Sequence, residues 1–177
     1  MVNKVFCIGF HKTGTTSLGA ALSLLGFRVC GPVGVHDASI ADRAQALAKD
    51  RLPHFDAFQD NPWPVLYPFL DRECPGSKFI LTTRDPDSWV ASACRHFGSD
   101  DTPMRTWIYG VGHPVGHEQT YKRVYLAHNE AVLRYFAKRR KDLLVMNITE
   151  GDGWWELCDF LNVSTPNEPF PKLNQRG

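Results

Sequence analysis

Short apolar runs that stop at glycine, proline or a polar residue alternate along this chain with stretches in which apolar residues recur every three or four positions. The first run, Lys4 to Gly9 (KVFCIG), is rich in strand formers and ends at a glycine. Ser17 to Leu25 follows with helix formers and stops at Gly26, so the chain opens as strand, turn, helix. Phe27 to Cys30 predicts a second strand, the break from Gly31 to Gly34 follows, and Asp37 is placed to cap a helix running through Lys49. Phe55 to Gln59 predicts a third strand, and Pro62 to Glu73 a helix with prolines in its first turn. Lys78 to Thr83 (KFILTT) reads as a buried strand. The helix after it starts at Asp85, with Pro86 in the first turn and Trp89, Val90 and Ala93 facing inward.

From Phe97 to Glu118 glycines, prolines and polar residues show no clean period, which predicts a long loop or lid over residues 97–118 carrying Trp107 and Tyr109. Tyr121, Val124, Tyr125, His128, Val132, Leu133 and Phe136 then share one helical stripe. Leu143 to Ile148 supplies a further strand, and Asp152 is placed to cap a last helix, WWELCDFL. Strands that alternate with helices imply right-handed crossovers, hence an α/β fold of three layers with a central parallel sheet flanked by helices. With 177 residues and no repeat or low-complexity linker, residues 1–177 are expected to form a single domain. Such sheets bind ligands at the carboxyl ends of their strands, which puts the turns after Ile8 and after Thr83 on one edge.

Charge and cysteine usage narrow the classes of function. Lys and Arg number 20 against 19 Asp and Glu, a net charge of +1, so nothing global points to nucleic acid or an anionic membrane and any anion site is local. The five cysteines are odd in number and widely spaced with no CxxC pair, which disfavours a disulfide framework and a zinc site. A reducing compartment fits. No apolar stretch approaches about 20 residues, and Val5 to Phe10 is too short for a signal segment, so the expected location is the cytoplasm.

The turn after the first strand carries the chemistry. Gly9 to Thr16 follows the GxxxxG[x][ST] pattern of a phosphate-binding loop, or P-loop, except that Thr15 occupies the usual lysine position and the lysine stands at Lys12. Gly14 allows close backbone approach, successive N–H groups form an anion nest, and the helix N-terminus adds positive partial charge. Thr15, Thr16 and Ser17 add hydroxyls, and Lys12 a mobile charge. Loss of the lysine at position 15 argues against γ-phosphate chemistry on ATP. The bland reading is a solvated β-to-α turn.

The run His11, Lys12, Thr13, Gly14, Thr15, Thr16 resembles the KxGTT core of the sulfotransferase 5′-phosphosulfate loop. Arg84, Pro86 and Ser92 in TRDPDSWVAS look like the same family's 3′-phosphate signature, an arginine after a strand and a serine eight residues later on the next helix. In length and in its DAFQDNPW and PFPKLN stretches the chain resembles short bacterial-type members. The resemblance implies 3′-phosphoadenosine 5′-phosphosulfate (PAPS) as sulfuryl donor and 3′-phosphoadenosine 5′-phosphate (PAP) as product, with no metal. It implies cofactor contacts from His11, Lys12, Thr13, Gly14, Thr15, Thr16, Ser17, Arg84 and Ser92. The acceptor is expected to be a hydroxyl or amine on a small or glycan-like molecule.

Phe58 to Pro62 resembles in position the family's KTHLP stretch, and Asp60 stands at its catalytic histidine. Catalytic roles are therefore expected for Lys12 and Asp60, with a helix cap as the competing role for Asp60. His11, His36 and His54 are rival bases, whereas His128 on its apolar stripe reads as a hydrogen-bonded core histidine. The chain also departs from the cytosolic family. Ser17 stands where a tryptophan is common, Phe58 replaces a second lysine, and no RKGxxG loop appears, leaving Lys172 and Arg176 as candidate substitutes. Two other functions stay open: a P-loop kinase or nucleotide phosphotransferase, and a non-catalytic nucleotide-binding module on the same fold.

Overall fold

The structure, a computed structural model, describes residues 4–173. Its centre is a parallel sheet of five strands: β1 (Val5–Cys7), β2 (Val29–Cys30), β3 (Ala57–Phe58), β4 (Lys78–Thr82) and β5 (Leu143–Met146), in the order β2-β3-β1-β4-β5. Seven α-helices flank it among the described residues: α1 (Thr15–Leu24), α2 (Ile40–Arg51), α3 (Tyr67–Glu73), α4 (Pro86–Phe97), α5 (Pro103–Tyr109), α6 (Glu118–Tyr135) and α7 (Trp154–Leu161).

Strand alternation divides the core between the two faces of the sheet. Phe6, Phe58, Phe79 and Leu81 pack with Ile40 and Ala44 of α2, Phe69 and Leu70 of α3, and Val132 of α6. Their neighbours Val5, Cys7, Ala57 and Ile80 face the other way, onto Leu18 and Leu22 of α1 and Leu157 of α7. Both faces are thus covered, giving the three layers expected of a parallel sheet.

The strand order decides where a ligand can sit. From β1 the chain crosses to β2 on one side, and from β4 it crosses to β5 on the other, so adjacent β1 and β4 form the topological switch point. A crevice opens there at the carboxyl edge, between the β1–α1 and β4–α4 turns.

Local details differ from the sequence reading in four places. Residues 97–118 are not one continuous loop: Pro103–Tyr109 form α5, with Thr102 as N-cap accepting from Arg105 N at 3.2 Å and Gly110 ending the helix at φ 78°. Ser39, not Asp37, is the residue preceding α2, and the Asp37 carboxylate instead accepts from the Ser39 N–H and hydroxyl. Gly153 precedes α7, while Asp152 accepts from Asn147 N at 2.7 Å and holds the turn after β5. Pro62 to Glu73 divides into a 3-10 turn over Trp63–Leu66 and then α3, because Pro68 cannot donate the hydrogen bond that a continuous helix would need.

Candidate active site

The β1–α1 turn is fixed from beneath. A Cβ on Gly9 would lie 2.1 Å from Thr82 Oγ1 and 2.4 Å from its carbonyl oxygen, so only glycine lets the turn leave β1 this close to β4. The Thr13 hydroxyl lies 2.5 Å from the Phe10 carbonyl, to which it donates, and 2.6 Å from Thr82 Oγ1. Lys12 adopts φ 66° and Gly14 φ 96°, and Gly14 precedes α1 without offering a side-chain cap. The first-turn N–H groups of α1, which have no intrahelical carbonyl, are thereby directed at the crevice with the positive end of the helix dipole.

Arg84 and Ser92 come from the next strand–helix unit. The Arg84 backbone is clamped by Tyr125, whose hydroxyl accepts from Arg84 N at 2.8 Å and donates to Arg84 O at 2.9 Å, and its guanidinium reaches the Lys12 carbonyl at 3.4 Å. It forms no pair with its acidic neighbours, since Asp85 caps α4 by accepting from Ser88 N at 2.8 Å and Asp87 pairs with Lys122 at 2.5 Å. Six residues into α4, Ser92 is buried with its side chain on the cavity wall.

Asp60 follows β3 in the left-handed region at φ 67°, a conformation that Asp and Asn adopt more readily than other non-glycine residues. Its carboxylate accepts from Asn61 N at 2.7 Å rather than capping the turn that starts at Trp63. Burial raises its pKa above the ordinary carboxylate value, against the opposing effects of the Asn61 N–H and the nearby Lys12 charge. A carboxylate whose proton affinity is raised in this way is a better proton acceptor than one in water.

His11 is buried, and both ring nitrogens are engaged: Nδ1 lies 3.3 Å from Asn61 Nδ2, and Nε2 lies 3.2 Å from the Tyr109 hydroxyl. Burial, reinforced by the Arg105 and Lys12 charges, lowers its pKa to about 3 and keeps it neutral. His11 therefore orders the wall, together with Trp89, which donates to its carbonyl at 2.8 Å. His36 and His54 are exposed and lie outside the cavity lining. His128 is the core histidine the sequence pattern indicates, bonded to the Ile8 carbonyl at 2.7 Å with its pKa lowered by burial to about 4.

His11, Lys12, Gly14, Thr15, Thr16, Ser17, Asp60, Arg84 and Ser92 all line one cavity of about 970 Å³. Thr13 does not, because its hydroxyl is committed to the sheet beneath. With these residues assembled, comparison with known proteins is informative: the family model described as "Sulfotransferase domain" matches residues 4–114 and 102–177. The chain belongs to the sulfotransferase domain family. The solved structure of a sulfotransferase from Alicyclobacillus acidocaldarius shares this domain's fold, with a TM-score of 0.62 over 100% of this chain and 87% of that one, at 18% identity. No curated protein matches the sequence.

In this sulfotransferase-family domain the cavity wall also holds residues that sequence reading passes over. Arg95 and His96 line it from α4, and Arg105 from α5. Arg95 lies one helical turn after Ser92, so helical spacing from the serine was the signal available for it. Arg105 carried no such signal within a segment read as loop. At the mouth, Ser17 Oγ accepts from Leu173 N at 3.0 Å, and Leu173 joins the lining. Lys172 is exposed beside it, while Arg176 lies outside the described residues. Phe58 is fully buried in the core. No His, Cys, Asp or Glu cluster suited to a metal occurs among the described residues.

Proposed function

We propose that this protein transfers a sulfuryl group from PAPS to a hydroxyl or amine, with Lys12 and Asp60 in the chemistry. The observation that carries the reading is the shared cavity at the β1–β4 switch point, which joins the β1–α1 turn to Arg84 and Ser92 on one side and to Asp60 on the other. The α1 N-terminus, Lys12, Thr15 and Thr16 are arranged to hold the 5′-phosphosulfate in the manner of a P-loop. The Arg84 fork and the Ser92 hydroxyl suit a 3′-phosphate dianion.

In the reaction the acceptor oxygen or nitrogen bonds to sulfur as the bond from sulfur to the bridging phosphate oxygen breaks. Asp60 takes the proton that the acceptor releases, and Lys12 stabilises the negative charge gathering on the bridging oxygen. The products are the sulfated acceptor and PAP. Loss of a lysine at position 15 disfavours a kinase, which must stabilise a transferring γ-phosphoryl group. No helix among the described residues is long and apolar enough to cross a membrane. The reading includes a reducing, cytoplasmic setting, consistent with five free cysteines, three of them buried.

Calorimetry tests the donor assignment: PAP binds, and binds more tightly than adenosine 5′-phosphate. Equal affinity for the two nucleotides, or none for PAP, overturns it. Tight PAP binding with no transfer to a broad panel of hydroxyl and amine acceptors would instead identify a nucleotide-binding module.

A further inference from the structure

Arg105 is 6% exposed, borders the cavity and carries a full charge without an acidic partner: among the described residues no carboxylate lies within ion-pair distance of it. Its contacts are all neutral. Nε donates to the Gly112 carbonyl at 2.8 Å, Nη2 to the Asp100 carbonyl, the Tyr121 hydroxyl hydrogen-bonds the guanidinium, and the Phe97 ring lies beneath it at 4.5 Å. These contacts hold the group in one orientation, but they leave its charge uncompensated, and buried charges are ordinarily paired.

The position of Arg105 separates it from the phosphate-binding elements. Met104, its neighbour on α5, donates its N–H to the Val35 carbonyl at 3.3 Å, which seats the start of α5 by the loop after β2. In the sheet order β2 lies two strands from β1, or roughly 10 Å at ordinary strand spacing. Asp60 follows β3, between the two. Phe97 links this end to the β1–α1 turn, with its ring 4.6 Å from His11 and 4.5 Å from Arg105. Pro32, Val35, Phe97 and Met104 supply the apolar part of this wall, beside Arg95, His96 and Thr102.

We infer that the acceptor is a mainly apolar molecule bearing an anionic group, a carboxylate or a phosphate or sulfate ester, which Arg105 holds while the reacting hydroxyl lies at Asp60. This rests on the sulfuryl-transfer reading and adds the substrate class. A buried guanidinium held in place beside apolar side chains rewards a ligand that brings a negative charge to it, because its remaining N–H groups offer charge-assisted hydrogen bonds. A neutral analogue leaves the buried cation unpaired, and a cationic one is repelled.

The test uses the whole protein saturated with PAP and titrated calorimetrically with hydroxy-carboxylates, each paired with its own primary amide. Phosphate and sulfate esters of the corresponding diols, titrated in the same way, identify the preferred anion. Carboxylates or esters are expected to bind about tenfold or more tightly than the matched neutral compounds. Arg105→Gln abolishes that preference, with PAP affinity unchanged. Because the guanidinium also ties down two carbonyls, Arg105→Lys provides a second variant that keeps the charge and loses the fork, and it is expected to retain a reduced preference. Thermal unfolding establishes that each variant is folded. Equal binding of anionic and neutral members by the wild type, or no binding by any anion, overturns the inference, as does a preference that survives Arg105→Gln. Failure of PAP itself to bind overturns the donor reading instead, so the two failures are distinct.

Discussion

Asp60→Asn separates stability from chemistry at one position. The substitution keeps the side-chain shape, an oxygen that can accept from Asn61 N at 2.7 Å, and a residue type that tolerates φ 67°. It removes only the charge. Because burial raises the Asp60 pKa in the fold, the folded state holds its proton more tightly than the unfolded chain does. Stability from this group is therefore lost as pH rises through the folded-state pKa, and the ionised form is penalised at neutral pH. Asn escapes that penalty, so at neutral pH Asp60→Asn is expected to be at least as stable as the wild type. Asp60→Ala has neither the tolerance of the left-handed region nor the acceptor, and the two losses together amount to about 2 kcal/mol. Urea denaturation of the three proteins checks the order. Transfer of labelled sulfate from PAPS falls about 100- to 10,000-fold in both variants, while PAP affinity measured by calorimetry stays at the wild-type value. Full turnover by Asp60→Asn, or instability equal to that of Asp60→Ala, refutes the reasoning.

Arg84→Ala should weaken PAP roughly 30- to 100-fold, the scale of a charge-assisted phosphate pair, while leaving adenosine 5′-phosphate almost unchanged; equal effects on both nucleotides in calorimetry would place Arg84 elsewhere. Gly9→Ala drives a methyl to 2.1 Å from Thr82 Oγ1, so the domain should lose about 1–3 kcal/mol in thermal or urea unfolding, and a wild-type midpoint would contradict that close approach. His11 and His128 have pKa values lowered to about 3 and about 4, below the unfolded value near 6.5, so the unfolded chain takes up protons first. Their contribution is complete above pH 6.5 and is lost as pH falls, on the order of 3 kcal/mol per histidine by pH 4. His128→Gln, which keeps a donor for the Ile8 carbonyl and cannot titrate, should flatten the slope of urea stability against pH; an unchanged slope would exclude His128 as its source.

Signals that act within a few residues were legible in the chain. Lys4 to Gly9 and Lys78 to Thr83 read as strands and form β1 and β4, and Asp85 with Pro86 starts α4 as expected, because capping and glycine or proline stops operate over one turn. The same local logic went astray where two nearby residues competed for one helix start. Asp37 lost the position before α2 to Ser39, and Asp152 lost that before α7 to Gly153, since each carboxylate found a better N–H donor two residues downstream or across the turn. Helix α5 carried its own signature in Thr102, Pro103 and Gly110, hidden among the surrounding turn formers.

By itself, then, the sequence determined the alternation of strand and helix and the motif residues from His11 to Ser17, Asp60, Arg84 and Ser92, because each belongs to a short segment whose residue types restrict its own backbone. Only the tertiary structure decided that β1 and β4 lie side by side and that Asp60 meets Lys12 from across the sheet. It also turned Thr13 inward, made His11 a neutral wall residue, and brought Arg95 and Arg105 into the same cavity. Those outcomes depend on contacts between residues tens of positions apart, and on which side chains are left facing a cavity once both faces of the sheet are filled. No local pattern encodes that remainder.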